Sequence, residues 1–377
     1  MPKKLIIQFN PVKYIISGGG TGGHIYPAIA VAQALQSIDS LAEILFVGAK
    51  GRMEMQKVPQ AGYPIEGLWI SGIERKLSLK MFGFPFKLVS SLWRAYRILQ
   101  KFKPDVVVGF GGYASGAVLY VAQKLGLPTI IQEQNSYAGL TNQWLAKKAQ
   151  AICVAYPNME AFFPKEKTLL TGNPIRQDIL HLAEKKTEAY EYFDLSPNKK
   201  TLFIMGGSLG ARSINETLQN QLTQLLSQDI QVLWQTGKLF WSQNQAFIAH
   251  NQSPMVKIVE FINRMDLAYS IADVVISRAG ALSISELCLA GKPTIFVPFP
   301  FAAEDHQTKN VQALLSKQAA ILVPDNQVRT QLIRKVIQLI KDDALQQKLS
   351  ENIHSFAKPN ATNEIAQIIW QIAKKSK

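Results

Sequence analysis

Short apolar runs alternate with longer amphipathic segments along the whole chain, and this alternation limits the possible fold more than any other feature. Strands that alternate with helical segments are typical of βαβ units, in which helices join the parallel strands of one sheet. The apolar runs predict strands at residues 14–17, 44–47, 106–109, 129–132, 151–154, 201–205, 232–235, 256–260, 274–277 and 294–298. Helices are predicted at 28–37, 213–227 and 307–316. The pattern therefore predicts an α/β protein with doubly wound parallel sheets.

The length of the chain predicts two domains. Its 377 residues exceed one ordinary hydrophobic core and fit two domains of similar size. Turn-forming residues at 171–174 predict the hinge, and a basic amphipathic helix is predicted at 363–374. Ligands of doubly wound sheets bind at the carboxyl ends of the strands. We therefore predict two Rossmann-like domains whose ligand-binding edges face a cleft.

Composition and charge narrow the class of protein. Apolar residues make up 47% of the chain and charged residues 18%, which is typical of a globular protein. The two cysteines, Cys153 and Cys288, lie far apart in apolar stretches, which predicts buried thiols in a reducing compartment. No stretch approaches the roughly 18–20 continuous apolar residues of a spanning helix. The sequence thus predicts a soluble intracellular protein, or one that lies on a membrane without crossing it.

The net charge of +14 indicates an anionic partner, and nucleic acid, anionic lipid and a phosphorylated substrate all fit it. Its placement is uneven, since residues 75–103 hold eight basic residues and no acidic one.

Three predicted strands run directly into glycine clusters, at residues 18–23, 109–112 and 206–210. Glycine lets the backbone adopt a positive φ and approach a ligand closely. The helix that follows offers unpaired N–H groups and a partial positive charge. These clusters therefore predict loops that bind phosphate.

The first cluster contains the spacing GxGxxG at Gly18, Gly20 and Gly23, which is typical of nicotinamide- and flavin-binding proteins. That fingerprint also requires an acidic residue at the end of the second strand. Here Lys50 and Arg52 follow the second strand, so a nicotinamide enzyme is disfavoured. The P-loop pattern ending in GK[ST] does not occur, and no cluster has metal-ligand spacing. The sequence therefore predicts neither a cofactor nor a metal.

Seven motifs follow one another along about residues 14–310. They are GGGTGGHIYPA at 18–28, GGYAS at 111–115, EQNSYAGLTN at 133–142, TGNPIR at 171–176, GGSLGA at 206–211, SRAGALS at 277–283 with Glu286, and DHQT at 305–308. In this order they resemble the motifs of the MurG family of bacterial glycosyltransferases. The chain departs from the family at Gln132, where a histidine is usual, and in the residues before Tyr14, which extend the usual start.

The resemblance implies a GT-B fold. Residues 1–173 would form the acceptor- and membrane-binding domain, residues 174–358 would bind the UDP-sugar, and a helix at about 359–377 would pack back on the first domain. The implied reaction is inverting transfer of N-acetylglucosamine from UDP-N-acetylglucosamine to the 4-hydroxyl of N-acetylmuramic acid in lipid I, which yields lipid II in peptidoglycan synthesis. The enzyme would lie peripherally on the cytoplasmic face of the inner membrane. Its implied partners are an anionic membrane surface and other proteins of cell-wall synthesis or division.

The donor site is predicted in two steps. The leaving diphosphate needs positive groups, which Ser208 at a helix start and the guanidinium of Arg176 are suited to provide. Arg176 could equally be a surface residue or a partner of Asp178. By the family match, the further donor-binding residues are Phe261, Ile262, Arg278, Ala281, Leu282, Ser283, Glu286, Gln307 and Thr308, with Thr21, Gly22, Gly23 and Asn135 from the first half.

Several of these donor residues have a structural alternative. Glu286 is expected at the ribose, but residues 283–286 also read as a helix capping box. Phe261 and Ile262 are expected to flank the uracil, but they also suit the buried end of a strand. Gln307 and Thr308 could be helix caps instead of ligand contacts.

The acceptor side depends on loops that converge if they lie at one sheet edge. Tyr113, Ser115 and Asn142 are predicted to contact the acceptor. His24 is the first candidate for the base that takes the hydroxyl proton, because imidazole titrates near neutral pH. Glu133 is the second candidate, and the sequence does not separate the two.

Residues 77–86 are too apolar for an ordinary solvated loop. The residues predicted to contact the membrane are Leu77, Leu79, Phe82, Phe84 and Phe86, together with Lys80 and Lys87. Basic residues beside exposed aromatics suit an anionic headgroup layer. Pro85 predicts a loop followed by a helix from about residue 87. The apolar side of that helix, with Leu92, Trp93, Tyr96 and Leu99, is predicted to be core.

Two alternatives stay open at this point. A related transferase could use the same UDP-sugar with another lipid or a soluble acceptor. A non-enzymatic nucleotide- or RNA-binding protein would also explain the basic charge. The Phe- and Leu-rich segment resembles a lipid-binding surface more than a base-stacking face, so no nucleic-acid partner is predicted.

Overall fold

The computed structural model describes residues 11–70 and 84–376, which divide into two compact units. The first unit extends to Ile175 and includes the chain from Asn360 onward, and the second unit is Arg176–Pro359. Each unit has its own parallel sheet with helices on both faces. The predicted α/β class with two doubly wound sheets is confirmed.

The first unit contains a seven-stranded sheet in the order β3-β2-β1-β4-β5-β6-β7. Its strands are β1 Lys13–Ser17, β2 Glu43–Ala49, β3 Ile65–Leu68, β4 Val106–Gly109, β5 Thr129–Glu133, β6 Ala151–Val154 and β7 Thr168–Leu170. Its helices are α1 Gly22–Ile38, α2 Glu54–Gln60, α3 Phe84–Phe102, α4 Tyr113–Lys124, α5 Leu140–Ala146 and, at the chain end, α15 Ala361–Lys375.

The second unit contains a six-stranded sheet in the order β10-β9-β8-β11-β12-β13. Its strands are β8 Thr201–Met205, β9 Gln231–Gln235, β10 Val256–Val259, β11 Val274–Ser277, β12 Thr294–Phe296 and β13 Ile321–Leu322. Its helices are α6 Lys186–Phe193, α7 Arg212–Leu226, α8 Lys238–Gln243, α9 Gln245–Asn251, α10 Met265–Ile271, α11 Ala281–Ala290, α12 His306–Ser316, α13 Val328–Ile340 and α14 Asp343–His354.

The central strands carry apolar side chains on both faces because both faces of each sheet are covered. In β1, Ile15 packs into the core on one face, while Tyr14 and Ile16 pack into the core on the other. Helix α15 contributes Ile365 and Ile369 to the same core as Tyr14, so the chain end packs within the first unit. Continuous apolar strands of this kind are the signature of buried parallel sheets.

The strand order reverses once in each sheet, between β1 and β4 in the first and between β8 and β11 in the second. In open α/β sheets, ligands bind outside the carboxyl ends of the strands at such a reversal. The glycine clusters follow β1, β4 and β8, so the fold places all three at the reversals.

All ten predicted strands are present, with ends shifted by at most a few residues. Three further strands, β3, β7 and β13, were not predicted. Each lies at an edge of its sheet and is two to four residues long. Such strands carry little apolar pattern, since β3 reads Ile-Glu-Gly-Leu.

Candidate active site

The loops after β1 and β4 lie against each other at the carboxyl edge of the first sheet. The N–H of Gly19 donates to the carbonyl of Gly111 at 3.3 Å. At Gly112, a Cβ atom would lie 2.4 Å from the Gly19 carbonyl oxygen, and φ is +87°. Glycine is therefore required at 112 by both space and backbone conformation.

His24 lies in the first turn of α1, directly after the first glycine loop. Its Nδ1 is 2.8 Å from the carbonyl oxygen of Gly19 and 3.4 Å from the hydroxyl of Thr21. Because a carbonyl oxygen only accepts hydrogen bonds, Nδ1 carries the proton and the neutral ring keeps its lone pair on Nε2. A Cβ atom at Gly111 would lie 3.0 Å from both Nε2 and Cδ2, so glycine at 111 makes room for the imidazole ring. His24 is thus oriented as a proton acceptor.

Glu54, the first residue of α2, is a residue of this site that the sequence analysis missed. Its side chain is fully buried and accepts the N–H of Ala49 at 3.0 Å and that of Gly20 at 3.1 Å. A Cβ atom would lie 2.1 Å from Glu54 at position Gly19 and 2.5 Å from it at Gly48. The available signal was an acidic residue beyond the basic stretch that follows β2. The first glycine loop therefore holds a carboxylate of the chain itself.

Glu133, at the end of β5, is surrounded by donors. One carboxylate oxygen accepts the N–H of Asn135 at 3.1 Å, and the other accepts the N–H of Gly139 at 3.1 Å and the side-chain amide of Asn142 at 2.8 Å. The residue is buried. Asn135 and Asn142, which were predicted to contact ligands, thus stabilise the loop between β5 and α5. This arrangement favours His24 over Glu133 as the base.

The remaining acceptor candidates differ in exposure. Tyr113 is 56% exposed at the start of α4, and Thr21 is also exposed, so both can meet a ligand. Ser115 is buried, and a Cβ atom at Gly109 would lie 2.5 Å from its hydroxyl. In the described part of the chain this hydroxyl has no hydrogen-bond partner.

Gln132 stands where the family usually has a histidine, and it belongs to a buried amide network. Its side-chain amide donates to Asn173 at 3.1 Å, and it accepts from the side chain of Gln134. Gln134 in turn donates to the carbonyl of Phe110 at 2.8 Å. The network ties β5 to the loop after β4 and to the segment after β7.

In the second unit, the glycine loop after β8 is exposed and precedes α7. Gly207 has φ +83° and Gly210 has φ +87°, and the N–H of Gly210 donates to Gly207 at 3.1 Å. Ser208 is exposed and its carbonyl accepts the N–H of Lys238 at 3.1 Å. Within the described residues, no carboxylate accepts a hydrogen bond from this loop. Its geometry suits an external anion.

Arg176 and Glu286 form an ion pair with 3.1 Å between Nε and Oε1. The hydroxyl of Tyr269 donates to the other oxygen of Glu286 at 3.0 Å. Burial raises the pKa of Glu286, and the nearby guanidinium of Arg176 opposes that shift. Burial also raises the pKa of Tyr269 well above its usual value. Arg176 and Glu286, which were both predicted to bind the donor, are therefore in direct contact.

The capping-box alternative for Glu286 is wrong. Helix α11 begins at Ala281 with Gly280 as its N-cap, and no side chain caps it. Glu286 consequently lies inside the helix, where it bonds to Arg176 and Tyr269 instead of to a helix start.

Other predicted donor residues already have contacts within the second unit. Phe261 is 41% exposed, whereas Ile262 is buried and its N–H donates to Gln235 at 2.9 Å. The side-chain oxygen of Gln307 accepts the N–H of Phe299 at 2.8 Å. The hydroxyl of Thr308 donates to the carboxylate of Asp305 at 2.7 Å, and no described side chain caps the start of α12.

Two family models and a solved structure are similar to this chain. The model of the glycosyltransferase family 28 N-terminal domain matches residues 14–154, and that of the family 28 C-terminal domain matches residues 201–367. The crystal structure of MurG from Acinetobacter baumannii has a TM-score of 0.75 and 31% identity, covering 96% of this chain and all of that one.

Two curated relatives carry the name UDP-N-acetylglucosamine–N-acetylmuramyl-(pentapeptide) pyrophosphoryl-undecaprenol N-acetylglucosamine transferase. The relative from Flavobacterium psychrophilum is 55% identical and covers 97% of this chain and 99% of its own length. The relative from Cytophaga hutchinsonii is 53% identical, with 96% and 97% covered. The chain belongs to the MurG family of family 28 glycosyltransferases. The predicted family, GT-B fold class and glycosyltransferase activity are confirmed.

In this MurG family member, Arg278 was predicted to bind the donor, but its guanidinium bonds to several groups of the second unit itself. Its guanidinium donates to Asp325, to the carbonyl oxygens of Val297 and Pro298 at 3.2 and 3.1 Å, and to the hydroxyl of Ser213 at 3.1 Å. Because Ser213 lies in the first turn of α7, Arg278 fixes the helix that follows the glycine loop after β8. Ala281, Leu282 and Ser283 form the first turn of α11 beside it.

Helix α3 of this MurG family member carries exposed aromatic side chains. Phe86 is 76% exposed, Trp93 61% and Tyr96 44%, so the prediction that Trp93 and Tyr96 are core is wrong. Leu99 is buried, as predicted. Lys87 lies 5.6 Å from the ring centre of Trp69, which is also exposed.

The remaining membrane predictions have no structural account. Leu77, Leu79, Lys80 and Phe82 lie outside the described residues, and Phe84 is described only as the first residue of α3. Within the described residues, every helix is too short or too polar to span a bilayer.

Proposed function

We propose that this chain transfers N-acetylglucosamine from UDP-N-acetylglucosamine to the 4-hydroxyl of N-acetylmuramic acid in lipid I, the undecaprenyl-pyrophosphoryl-linked pentapeptide. Relatives named for that transfer match 96–97% of the chain at 53–55% identity, which supports the same donor and acceptor. The observation that carries the proposal is the bond from Nδ1 of His24 to the carbonyl of Gly19, which leaves the lone pair of the neutral ring on Nε2.

In the proposed reaction, the 4-hydroxyl oxygen attacks the anomeric carbon of the donor sugar in one displacement. The new glycosidic bond forms as the bond to the diphosphate breaks, which inverts the anomeric centre and releases UDP. The hydroxyl proton passes to Nε2 of His24, which becomes an imidazolium. General-base catalysis of this kind contributes about 10²- to 10⁴-fold to the rate.

The donor half of the proposal uses the second unit. The exposed loop at 206–210 and the start of α7 would bind the diphosphate, with Ser208 as an additional donor. Glu286 would accept hydrogen bonds from the ribose hydroxyls, and Tyr269 holds one of its oxygens in place. Arg176 is close to the same point and would meet the phosphate charge.

The uracil contacts of Phe261 and Ile262 and the donor contacts of Gln307 and Thr308 stay predictions. The same holds for the donor-binding roles of Thr21, Gly22, Gly23 and Asn135.

The acceptor half of the proposal uses the first unit. Thr21 and Tyr113 are exposed: Thr21 lies three residues before His24, and Tyr113 follows the glycine loop after β4. Both can donate hydrogen bonds to a sugar or diphosphate. Glu133, Asn135 and Asn142 would act indirectly, because their hydrogen bonds to one another shape the loop before α5.

We also propose that the exposed face of α3 rests on the cytoplasmic surface of an anionic membrane. Phe86 and Trp93 are exposed aromatics, and Arg97 lies 5.1 Å from the ring centre of Trp93. Aromatic rings with adjacent cations suit the headgroup layer, where each basic residue is worth about 1 kcal/mol. Such binding would bring the enzyme to a lipid-anchored acceptor.

A sedimentation experiment tests the membrane proposal. The double variant Phe86→Ser, Trp93→Ser should bind vesicles containing anionic lipid several-fold more weakly than the unaltered protein. Tyr192→Ser, which removes an aromatic that is 58% exposed in the second unit, is the matched control and should bind normally. Equal loss in both variants would contradict a specific role of α3.

A transfer assay tests the proposed reaction. The protein is incubated with labelled UDP-N-acetylglucosamine and a short-chain lipid I analogue, and label in the lipid product is measured. Transfer to this acceptor, but not to soluble N-acetylmuramic acid, is the expected result. UDP binding without transfer would leave the donor half standing and refute the acceptor, and transfer to the soluble sugar would favour the alternative acceptor class.

A further inference from the structure

One peptide group connects Glu54 to His24. The N–H of Gly20 donates to Oε2 of Glu54 at 3.1 Å, and the carbonyl of Gly19 accepts from Nδ1 of His24 at 2.8 Å. This N–H and this carbonyl are the two ends of the peptide bond between Gly19 and Gly20. The buried carboxylate and the imidazole are thus bonded to opposite ends of one polarisable amide.

We propose that Glu54 is a positioning residue that acts on His24 through the Gly19–Gly20 peptide. This inference rests on the proposed role of His24 as the base. A catalytic histidine commonly has a carboxylate bonded directly to Nδ1–H, which selects the tautomer and stabilises the imidazolium. In this protein, the Glu54 carboxylate acts on the tautomer and the imidazolium of His24 in the same way, but through one intervening peptide group.

The physical basis is cooperative hydrogen bonding. A carboxylate that accepts from an N–H draws that bond shorter and stronger than a neutral acceptor would. The amide then carries more negative charge on its oxygen, and a chain of hydrogen bonds strengthens each member at low dielectric. Gly19 therefore becomes a better acceptor for Nδ1–H, which favours the tautomer with its lone pair on Nε2.

The surroundings hold this arrangement in place. The other oxygen of Glu54 accepts the N–H of Ala49 at 3.0 Å, so the carboxylate is fixed at both oxygens. Gly19 and Gly48 leave no room for any Cβ atom beside it. On the far side, the N–H of Gly19 donates to Gly111. Glu54 is completely buried, so water does not screen its charge.

Glu54→Gln is the first test, because glutamine keeps the shape but has one acceptor oxygen for two N–H donors. We expect kcat for transfer to fall about 10- to 100-fold, by analogy with the loss of carboxylates that orient metal-bound histidines. KM for UDP-N-acetylglucosamine should stay within twofold, since the residues proposed to bind UDP, namely Ser208, Glu286 and Arg176, lie in the second unit. Glu66→Gln is the matched control: it removes an ion pair with Arg94 in the same unit and should leave both constants within twofold.

The tautomer of His24 gives a second readout that does not require transfer. In protein labelled with ¹⁵N-histidine, the His24 signal is assigned by its loss in a His24→Asn variant. The unaltered protein and Glu66→Gln should show the Nδ1–H tautomer, and Glu54→Gln should show a larger share of the Nε2–H tautomer. A merely structural role for Glu54 would not change this ratio.

The outcomes are separable. A kcat within twofold of normal in Glu54→Gln, or a reduced kcat with an unchanged tautomer ratio, would overturn the proposal. If Glu54→Gln does not fold, the unaltered protein still decides, because a dominant Nε2–H tautomer for His24 would overturn it. If the unaltered protein transfers no label, the proposed function fails, while the tautomer spectra still judge the link between Glu54 and His24.

Discussion

The glycine loops after β1 and after β8 occupy the same place in their two sheets but are used differently. Both follow the strand at which the order reverses, and both have a glycine in the left-handed region, Gly20 at φ +86° and Gly207 at φ +83°. In the first loop, the buried carboxylate of Glu54 accepts the N–H of Gly20. In the second loop, Ser208 is exposed and no described carboxylate is bound.

The difference shows that a strand–glycine–helix pattern predicts an anion site without specifying whether the anion is a side chain of the protein or a ligand. In the first unit the chain supplies its own carboxylate, and the loop supports His24. In the second unit the site is left for a ligand, for which we propose the diphosphate of the donor. The following changes test this contrast, from the largest expected effect to the smallest.

Removal of the proposed base, His24, beside the first loop should have the largest effect on the rate of transfer. His24→Asn should lower kcat for label transfer by about 10²- to 10⁴-fold, because the hydroxyl proton loses its acceptor. UDP affinity, measured by calorimetry, should stay unchanged. Activity within tenfold of normal would show that another group takes the proton.

A matched pair of glycine substitutions separates the two loops. Gly210→Ala places a Cβ atom 2.2 Å from the carbonyl oxygen of Thr236 at φ +87°, so the second loop must move and UDP affinity should fall at least tenfold. Gly20→Ala has the same backbone strain, φ +86°, but nothing within 4 Å, so it should cost only about 1–2 kcal/mol of stability. UDP affinity of Gly20→Ala should be normal. Equal loss of UDP affinity in both variants would contradict the contrast.

Loss of the Tyr269 hydroxyl should have a smaller effect, confined to the second unit. Tyr269→Phe removes the hydrogen bond to Glu286, which is worth about 1 kcal/mol, and should weaken UDP binding about fivefold. Tyr63→Phe is the control in the first unit, where the hydroxyl donates to Gln36 at 2.9 Å, and it should bind UDP normally. An unchanged affinity in Tyr269→Phe would argue against a ribose contact of Glu286.

The two thiols should show no difference between the units. Burial raises the pKa of both Cys153 and Cys288 to about 12, so neither forms thiolate at pH 8 in the folded protein. Ellman's reagent should label neither thiol in buffer and both in urea. Rapid labelling of one thiol in buffer would show that its unit opens readily.

The limits of the sequence-based prediction follow the same physics. Central strands and glycine loops are local patterns, so their positions along the chain were predicted well. The link between Glu54 and Gly20 was missed because it joins residues 34 positions apart through a backbone N–H, which no motif encodes. The choice between ribose contact and capping box at Glu286 was open because the deciding partner, Arg176, is 110 positions away.

Exposure was the least predictable property. An amphipathic pattern showed that α3 has an apolar stripe, but not which of its aromatics pack inward. Leu99 is core, whereas Trp93 lies outside with Arg97 against its ring. Long side chains with a cation beside them can remain in contact with water, which periodicity alone does not reveal.

The most direct test of the contrast between the two loops is a UDP titration of protein labelled with ¹⁵N-glycine. The amide signals of Gly20 and Gly207 are assigned by their loss in the corresponding alanine variants. We expect UDP to shift the Gly207 signal and to leave the Gly20 signal in place, because Glu54 already occupies that N–H. A shift of Gly20 with an unmoved Gly207 would contradict the account, since the phosphate would then bind the first loop.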